Sequence, residues 1–251
     1  MLNLKRDTAK RQAFQALFFK ELKALLHSPA LYAATLVLYL GAALPFVGSG
    51  YWFSAGFSDF RPFFLNLPFL FCIIIPLLTM NSWTEENKYG TDRLLAAYPV
   101  DKGLLAAAKY TALVLCFTAA ASLTVIIPLS VIPLVYFDFF SFILSYIAVL
   151  FFGAAFTAWA LALSNISSHP AVSFLLGFFT GLFFTASHVL THIIPLPGFL
   201  VKLLRYCSFT LHFEAAARGI FDTRDFFFYI LLIIFAQGGA VFLLTVKEEA
   251  L

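Results

Sequence analysis

Six long apolar runs constrain what this chain can fold into more than any other feature of its sequence. Each run has about 20 residues or more, the length with which an α-helix crosses the hydrocarbon core of a bilayer. No charge lies unambiguously at the centre of any run, and Lys109, near the start of the third, is expected to reach the interface. The sequence therefore predicts an all-α integral membrane protein with six transmembrane helices. The runs cover residues 29–48, 62–80, 106–132, 138–163, 171–195 and 226–246.

The composition argues against a soluble domain. Of the 251 residues, 62% are hydrophobic and only 12% are charged, whereas soluble domains average about 45–50% apolar and about 25% charged residues. A single soluble core would leave large apolar patches in water. The three cysteines lie far apart, with neither a metal-like spacing nor a disulfide framework, and no cofactor is indicated.

The residues before the first run predict an N-terminal amphipathic helix that lies in the membrane interface. Apolar residues recur there at helical spacing while basic residues lie mostly elsewhere, although Phe19 breaks the pattern. The chain then divides into a segment at 1–28, a membrane domain at 29–246 and a tail at 247–251. The stretch is too long for the charged start of a signal peptide, so we expect the first run to remain as a span. The apolar face comprises Phe14, Leu17, Phe18, Leu22, Leu25 and Leu26.

The distribution of basic residues predicts the orientation. An even number of spans places both termini on one side, together with the loop at 81–105. That side has eleven Lys and Arg residues and the other has five, which favours cytoplasmic termini in an inner membrane. No long basic run with interleaved aromatic residues indicates nucleic acid, so the expected partner of these charges is membrane lipid. The outer loop at 196–225 is expected to form short helices against the outer surface.

Residues 83–100 form a compact polar segment between the second and third runs. Its charges alternate from Glu85 to Arg93, Gly90 interrupts it, and Pro99-Val100 ends it. Two interpretations are open from the charge pattern alone. The segment is either a docking surface for a partner outside the bilayer or a solvated loop between helix caps.

This segment resembles the first cytoplasmic loop of ABC-2 type permeases. In that family an acidic–basic run, a Gly-Thr pair, a Leu-Leu pair and a Pro-Val turn follow the second span, as they do here from Glu85 to Val100. The stretch 211–225 is similar to the segment before the last span in the branch that includes gliding-motility and copper-enzyme-maturation permeases. Together with the entry helix and the six spans, the resemblance covers essentially the whole chain.

The resemblance implies a permease subunit of an ATP-driven exporter. Such a subunit is not itself an enzyme, and the sequence indeed has no Gly-x-x-x-x-Gly-Lys-Ser/Thr phosphate loop. It pairs with a second permease subunit, either itself or a paralogue, and binds separate ATP-binding cassette subunits. Gly90 would supply a bend, and Arg93 and the glutamates would supply docking charges. The residues expected to couple to the ATPase are Glu85, Glu86, Lys88, Gly90, Thr91 and Arg93.

A second polar group precedes the last span. It is either an outer gate that contacts a periplasmic partner or a self-satisfied cap that closes the bundle. Glu214 and Arg218 stand four residues apart, as a helical ion pair would. The group comprises His212, Glu214, Arg218, Asp222, Arg224 and Asp225.

Two further patterns lie in the fifth run. Gly177 and Gly181 form a Gly-x-x-x-Gly motif, which predicts a close helix contact within the subunit or across a dimer. His188 and His192 are one turn apart, a spacing that can bind a metal, but no Cys, Met, Asp or Glu cluster joins them in sequence. We expect a hydrogen bond or a helix-end interaction there instead.

Other function classes have less support. The spans contain no carboxylate pair and no Ser/His or Cys/His constellation that would suit a membrane enzyme. They also lack the mid-membrane ionisable groups typical of ion-coupled transporters. A non-transporting anchor or activator of an extracytoplasmic assembly and a secondary transporter remain as alternatives. The substrate and the direction of transport stay open.

Overall fold

The computed structural model describes residues 2–49, 60–90, 101–130, 139–193, 197–217 and 222–249, and within these ranges it contains helices and no strands. The apolar runs form long helices, while the polar segments between them form short ones. The helices are α1 (Leu2–Leu26), α2 (Pro29–Ser49), α3 (Arg61–Thr79), α4 (Thr84–Tyr89), α5 (Lys102–Leu123), α6 (Ile126–Leu129), α7 (Phe139–Ser164), α8 (Pro170–Ile193), α9 (Gly198–Cys207), α10 (Phe209–Ala217) and α11 (Thr223–Glu249).

Six helical segments in the described part of the chain are long and apolar enough to cross a membrane. They correspond in number and order to the six predicted runs, so this part of the prediction is confirmed. Their outward surfaces are apolar, as the exposed side chains of Leu44, Phe179 and Phe235 illustrate. Lipid can cover such surfaces without the cost that water would impose. The chain therefore has the fold of a multi-pass membrane protein.

Helix α7 lies at the centre of the bundle and packs against α3, α5, α8, α10 and α11. Its Phe152 is buried and lies within 6.3 Å, ring centre to ring centre, of aromatic rings on α3, α10 and α11. The spans built on α3, α5 and α7 bury half or more of their most apolar stretch, whereas the α11 span buries only 17%. The bundle thus has three inner and three lipid-facing spans.

Three glycines allow close contacts between the spans. A methyl group on Gly153 would lie 2.1 Å from the ring of Phe117, and one on Gly181 would lie equally close to Phe156. A methyl on Gly177 would lie 3.0 Å from Pro76. Both residues of the Gly-x-x-x-Gly motif therefore lie at contacts inside this chain, where α8 meets α3 and α7.

The N-terminal segment is a single helix, α1, that packs against α5. Leu17, Leu22 and Leu25 lie against the hydrophobic core, and Lys23 is exposed. Leu26, which the periodicity assigns to the apolar face, is 46% exposed. The helix itself is established, while its position in a membrane interface remains a prediction.

The outer loop at 196–225 contains two short helices, α9 and α10, with different environments. None of the residues of α9, all of which are described, is buried. Helix α10 instead packs among α3, α7 and α8, with Phe209 and Phe213 buried. The loop thus forms short helices, as expected, and the two phenylalanines hold α10 against the bundle. Its position at an outer membrane surface stays a prediction.

Candidate functional site

A buried lysine, Lys109 on α5, joins three helices at one end of the bundle. Its ammonium nitrogen lies 2.9 Å from Glu86 Oε1 on α4 and 3.1 Å from Glu21 Oε1 on α1. It also donates to the carbonyl oxygen of Ser82 at 2.9 Å and lies 4.8 Å from the centre of the Trp83 ring. The lysine is 2% exposed, so these partners enclose its ammonium.

The charges of this cluster balance. Lys20 on α1 lies 3.4 Å from Glu21 and 3.8 Å from Glu86, so two lysines face two glutamates. Lys20 remains 58% exposed, whereas Lys109 and both carboxylates are largely enclosed. Burying such charges costs desolvation energy that their attraction roughly offsets, so the cluster fixes the position of the helices more than it adds net stability.

The local sequence explains why α4 forms at this place. It begins soon after α3, and the hydroxyl of Thr84 donates to the carbonyl oxygen of Met80 at 2.5 Å. It ends at Gly90, which adopts a left-handed conformation with φ of +67° and donates its N–H to the Glu86 carbonyl. Glycine adopts this conformation at no steric cost. Gly90 therefore makes the bend that the sequence assigns to it.

The six predicted coupling residues fall into three groups. Glu85 and Lys88 are exposed on α4, where a partner can reach them. Glu86 is buried and holds Lys109, so it does not present its carboxylate at the surface as a docking charge would. Thr91 and Arg93 lie outside the described residues. Glu85 and Lys88 are thus surface charges and Glu86 is an internal one, although the sequence pattern treats the three as equivalent.

A second lysine, Lys247 near the end of α11, lies on the other side of α4. It contacts the side chains of Asn87 on α4 and of Asn165, in the turn between α7 and α8. Helix α4 is therefore held through Glu86 by α5 and α1, and through Asn87 by α11.

The opposite end of the bundle has a smaller polar group centred on His212. Its Nδ1 lies 2.6 Å from Asp225 Oδ1, its Nε2 lies 2.8 Å from the carbonyl oxygen of Tyr206, and its ring stacks on Phe228 at 4.1 Å. A doubly protonated ring donates to both oxygens, whereas a neutral ring donates to only one. These contacts join α9, α10 and α11.

The remaining residues of the predicted outer group add little to this contact. Asp222 accepts the backbone N–H of Arg224 at 2.9 Å and so caps the start of α11. Glu214 is half-buried on α10, but Arg218 lies outside the described residues, so their ion pair stays a prediction. A cavity of about 20 Å³ beside His212, Asp225 and Tyr229 has room for roughly one water molecule. The two interpretations of this group, gate and cap, both stay predictions.

No metal site appears among the described residues, where no three His, Cys, Asp or Glu side chains come together. His188 Nδ1 instead lies 3.2 Å from the hydroxyl of Ser208, the hydrogen bond expected in place of metal ligation. The side chain of His192 lies outside the described residues.

No family model matches the sequence, and no curated protein matches it. The resemblance to ABC-2 type permeases therefore rests on the quoted stretches at 85–100 and 211–225 and on the order of the spans.

Sequence reasoning missed six residues of the site: Lys20, Glu21, Asn87, Lys109, Asn165 and Lys247. Lys109 gave a signal, because a lysine among apolar residues must either reach the interface or find a carboxylate. The sequence also contains a signal for Glu21, because this charged residue lies on the apolar face of α1. The pattern does not say which carboxylate pairs with which lysine.

Proposed function

We propose that this chain is the membrane-spanning subunit of an ABC-2 type transporter, coupling ATP hydrolysis by a separate subunit to export of a substrate. The observation that carries the proposal is the short helix α4. It exposes Glu85 and Lys88 while Glu86 fastens it to Lys109 inside the bundle. A docking element needs both properties, a surface that a partner can grip and a firm link to the spans.

The link is firm because α4 cannot hold its position alone. A helix of six residues is far below the length at which isolated helices are stable, so its contacts decide where it lies. Pulling Glu86 away from Lys109 would leave a buried charge without its partner, at a cost of about 3–5 kcal/mol. A partner that displaces α4 therefore moves α5 and α1 with it.

Transport further requires two packings of the spans with similar energies, because a ligand shifts a conformational equilibrium only by its differential affinity. ATP would close the nucleotide-binding subunits and draw the α4 helices of two permease subunits together. In this proposal α1 lies in the cytoplasmic interface of an inner membrane and the termini are cytoplasmic. Thr91 and Arg93 would extend the docking surface beyond Gly90.

A pull-down from the native membrane tests the proposal. The wild-type chain is compared with the charge-reversal variant Glu85→Lys/Lys88→Glu, which leaves Glu86 and Lys109 intact. The matched control is Lys202→Glu, an exposed charge reversal on α9 at the opposite end. We expect an ATP-binding subunit with the wild type and the control but not with the variant. Recovery of no ATP-binding protein with the wild type, under conditions that preserve other complexes, would overturn the proposal in favour of a transporter that works without an ATPase.

A further inference from the structure

Lys247, near the end of the last span, has contacts that the proposed function does not yet use. We infer that Lys247 is a positioning residue whose ammonium ties α11 to α4 and passes a displacement of α4 to the last span. The role in movement rests on the proposed function, whereas the tie itself follows from the geometry alone.

The ammonium of Lys247 faces three neutral oxygen atoms. It donates to Asn165 O at 2.5 Å, to Asn165 Oδ1 at 2.9 Å and to Asn87 Oδ1 at 3.0 Å. A lysine ammonium has three N–H donors, so it can donate to each of these three acceptors. Hydrogen bonds from a charged donor are roughly twice as strong as neutral ones.

Asn87 closes the network from the side of α4. Its amide nitrogen donates to the carbonyl oxygens of Asn165 and Ser167 at 3.3 and 3.2 Å, while its amide oxygen accepts from Lys247. These partners fix which way the amide points. The residue after Glu86 thus fastens α4 to the α7–α8 turn and to α11 together.

Asn165 also contacts α11 directly, at a position other than Lys247. It is fully buried, and its amide nitrogen donates to the carbonyl oxygen of Ala240 at 3.4 Å. Ala240 and Lys247 are about two helical turns apart on α11, so the contact resists tilting as well as sliding. This matters because the α11 span buries the smallest share of its apolar stretch among the six candidate spans.

Adjacent residues of α4 therefore face lysines from two different spans. Glu86 binds Lys109 of α5, and Asn87 binds Lys247 of α11. A displacement of α4 acts on an inner span through the first lysine and on a lipid-facing span through the second.

Hydrogen–deuterium exchange of the full chain in lipid nanodiscs tests the tie. The variant Lys247→Met keeps the length of the side chain but removes its donors, and Lys247→Arg keeps charged donors. The matched control is Lys202→Met on α9. We expect Lys247→Met to speed exchange at 84–90 on the order of tenfold, Lys247→Arg to have a smaller effect, and the control to have none. Unchanged exchange at 84–90 in Lys247→Met would overturn the tie.

A second measurement addresses the role in movement. In the complex with the ATP-binding subunit, we expect ATP to change the exchange rate at 240–247 in the wild type. At equal amounts of assembled complex, that change should fall severalfold in Lys247→Met and stay intact in Lys202→Met. An ATP-induced change that is as large in Lys247→Met as in the wild type would overturn the inference. If the proposed function fails, the wild type recovers no ATP-binding subunit, but the faster exchange at 84–90 in Lys247→Met remains. Failure of the proposed function is therefore distinguishable from failure of the tie.

Discussion

At the end of the bundle that carries α1, two lysines hold a six-residue helix between two spans and the entry helix. At the opposite end, one histidine–aspartate pair lies among stacked aromatic rings, and α10 is anchored by Phe209 and Phe213. Helix α10 has apolar side chains of its own to bury, whereas α4 offers mostly polar ones. Charged contacts therefore hold α4, which has too few apolar side chains to be held by packing. These contacts lie at the end of the bundle where the proposed partner would bind.

The largest effect is expected from Lys109→Met, which removes the buried ammonium that Glu21 and Glu86 share. We expect a loss of about 3–5 kcal/mol in unfolding free energy, since two enclosed carboxylates lose their buried partner and keep only the exposed Lys20. Denaturation in a single detergent, compared with the exposed control Lys23→Met, measures it. Adding Glu21→Gln and Glu86→Gln should recover much of the loss. If Lys109→Met and Lys23→Met have the same unfolding free energy, Lys109 does not hold this end of the bundle together.

His212→Phe tests the other end. The ring keeps its stacking on Phe228, but Asp225 loses its donor, so we expect a loss of about 1–2 kcal/mol, at the low end for hydrogen bonds to charged groups because Asp225 still reaches water. Thermal unfolding in the same detergent checks it. Tyr206→Phe is the control, because it retains the ring and the carbonyl oxygen that His212 contacts. A loss as large as that of Lys109→Met would remove the contrast between the two ends.

Gly90 on one end of the bundle and Gly198 on the other allow the same comparison with smaller expected effects on stability. Neither Gly90 nor Gly198 has an atom within 4 Å of an added methyl group, but only Gly90 has a positive φ. Gly90→Ala should therefore cost about 1 kcal/mol from backbone strain, while Gly198→Ala should stay within about 0.5 kcal/mol. Hydrogen–deuterium exchange at 84–90 measures the effect of Gly90→Ala, and exchange at 198–207 measures the effect of Gly198→Ala. Similar responses of the two segments would mean that the left-handed turn does not limit α4.

The smallest effect is expected from Lys20→Ala. Lys20 is 58% exposed and lies 3.4–3.8 Å from its glutamate partners, and exposed ion pairs contribute about 0–1 kcal/mol. Raising the salt concentration should remove most of the difference from the wild type. A loss that persists in high salt would indicate that Lys20 is as important to the cluster as Lys109.

The six spans could be predicted because a bilayer imposes one length and one composition on every crossing helix. The ion pairs could not, because periodicity assigns a residue to a face and not to a partner. Glu86 shows the limit most clearly. In a helix of six residues the pattern is too short to define a buried face, so sequence reasoning grouped Glu86 with the exposed Glu85. The short helices of the loop at 196–225 could be predicted, but the burial of Phe209 and Phe213 could not, because the sequence does not show which elements cover them.

The contact between Asn87 and Lys247 also has a consequence for biosynthesis, because the two residues are 160 positions apart. At a synthesis rate of about 5–20 residues per second, Lys247 is made roughly 8–32 s after Asn87. Glu21, Glu86 and Lys109 are all present early, so their cluster can assemble while later spans are still being inserted. A nascent chain therefore displays α4 anchored on one side only. The second anchor closes only when the sixth span is in the bilayer, so the two anchors of α4 form at different times.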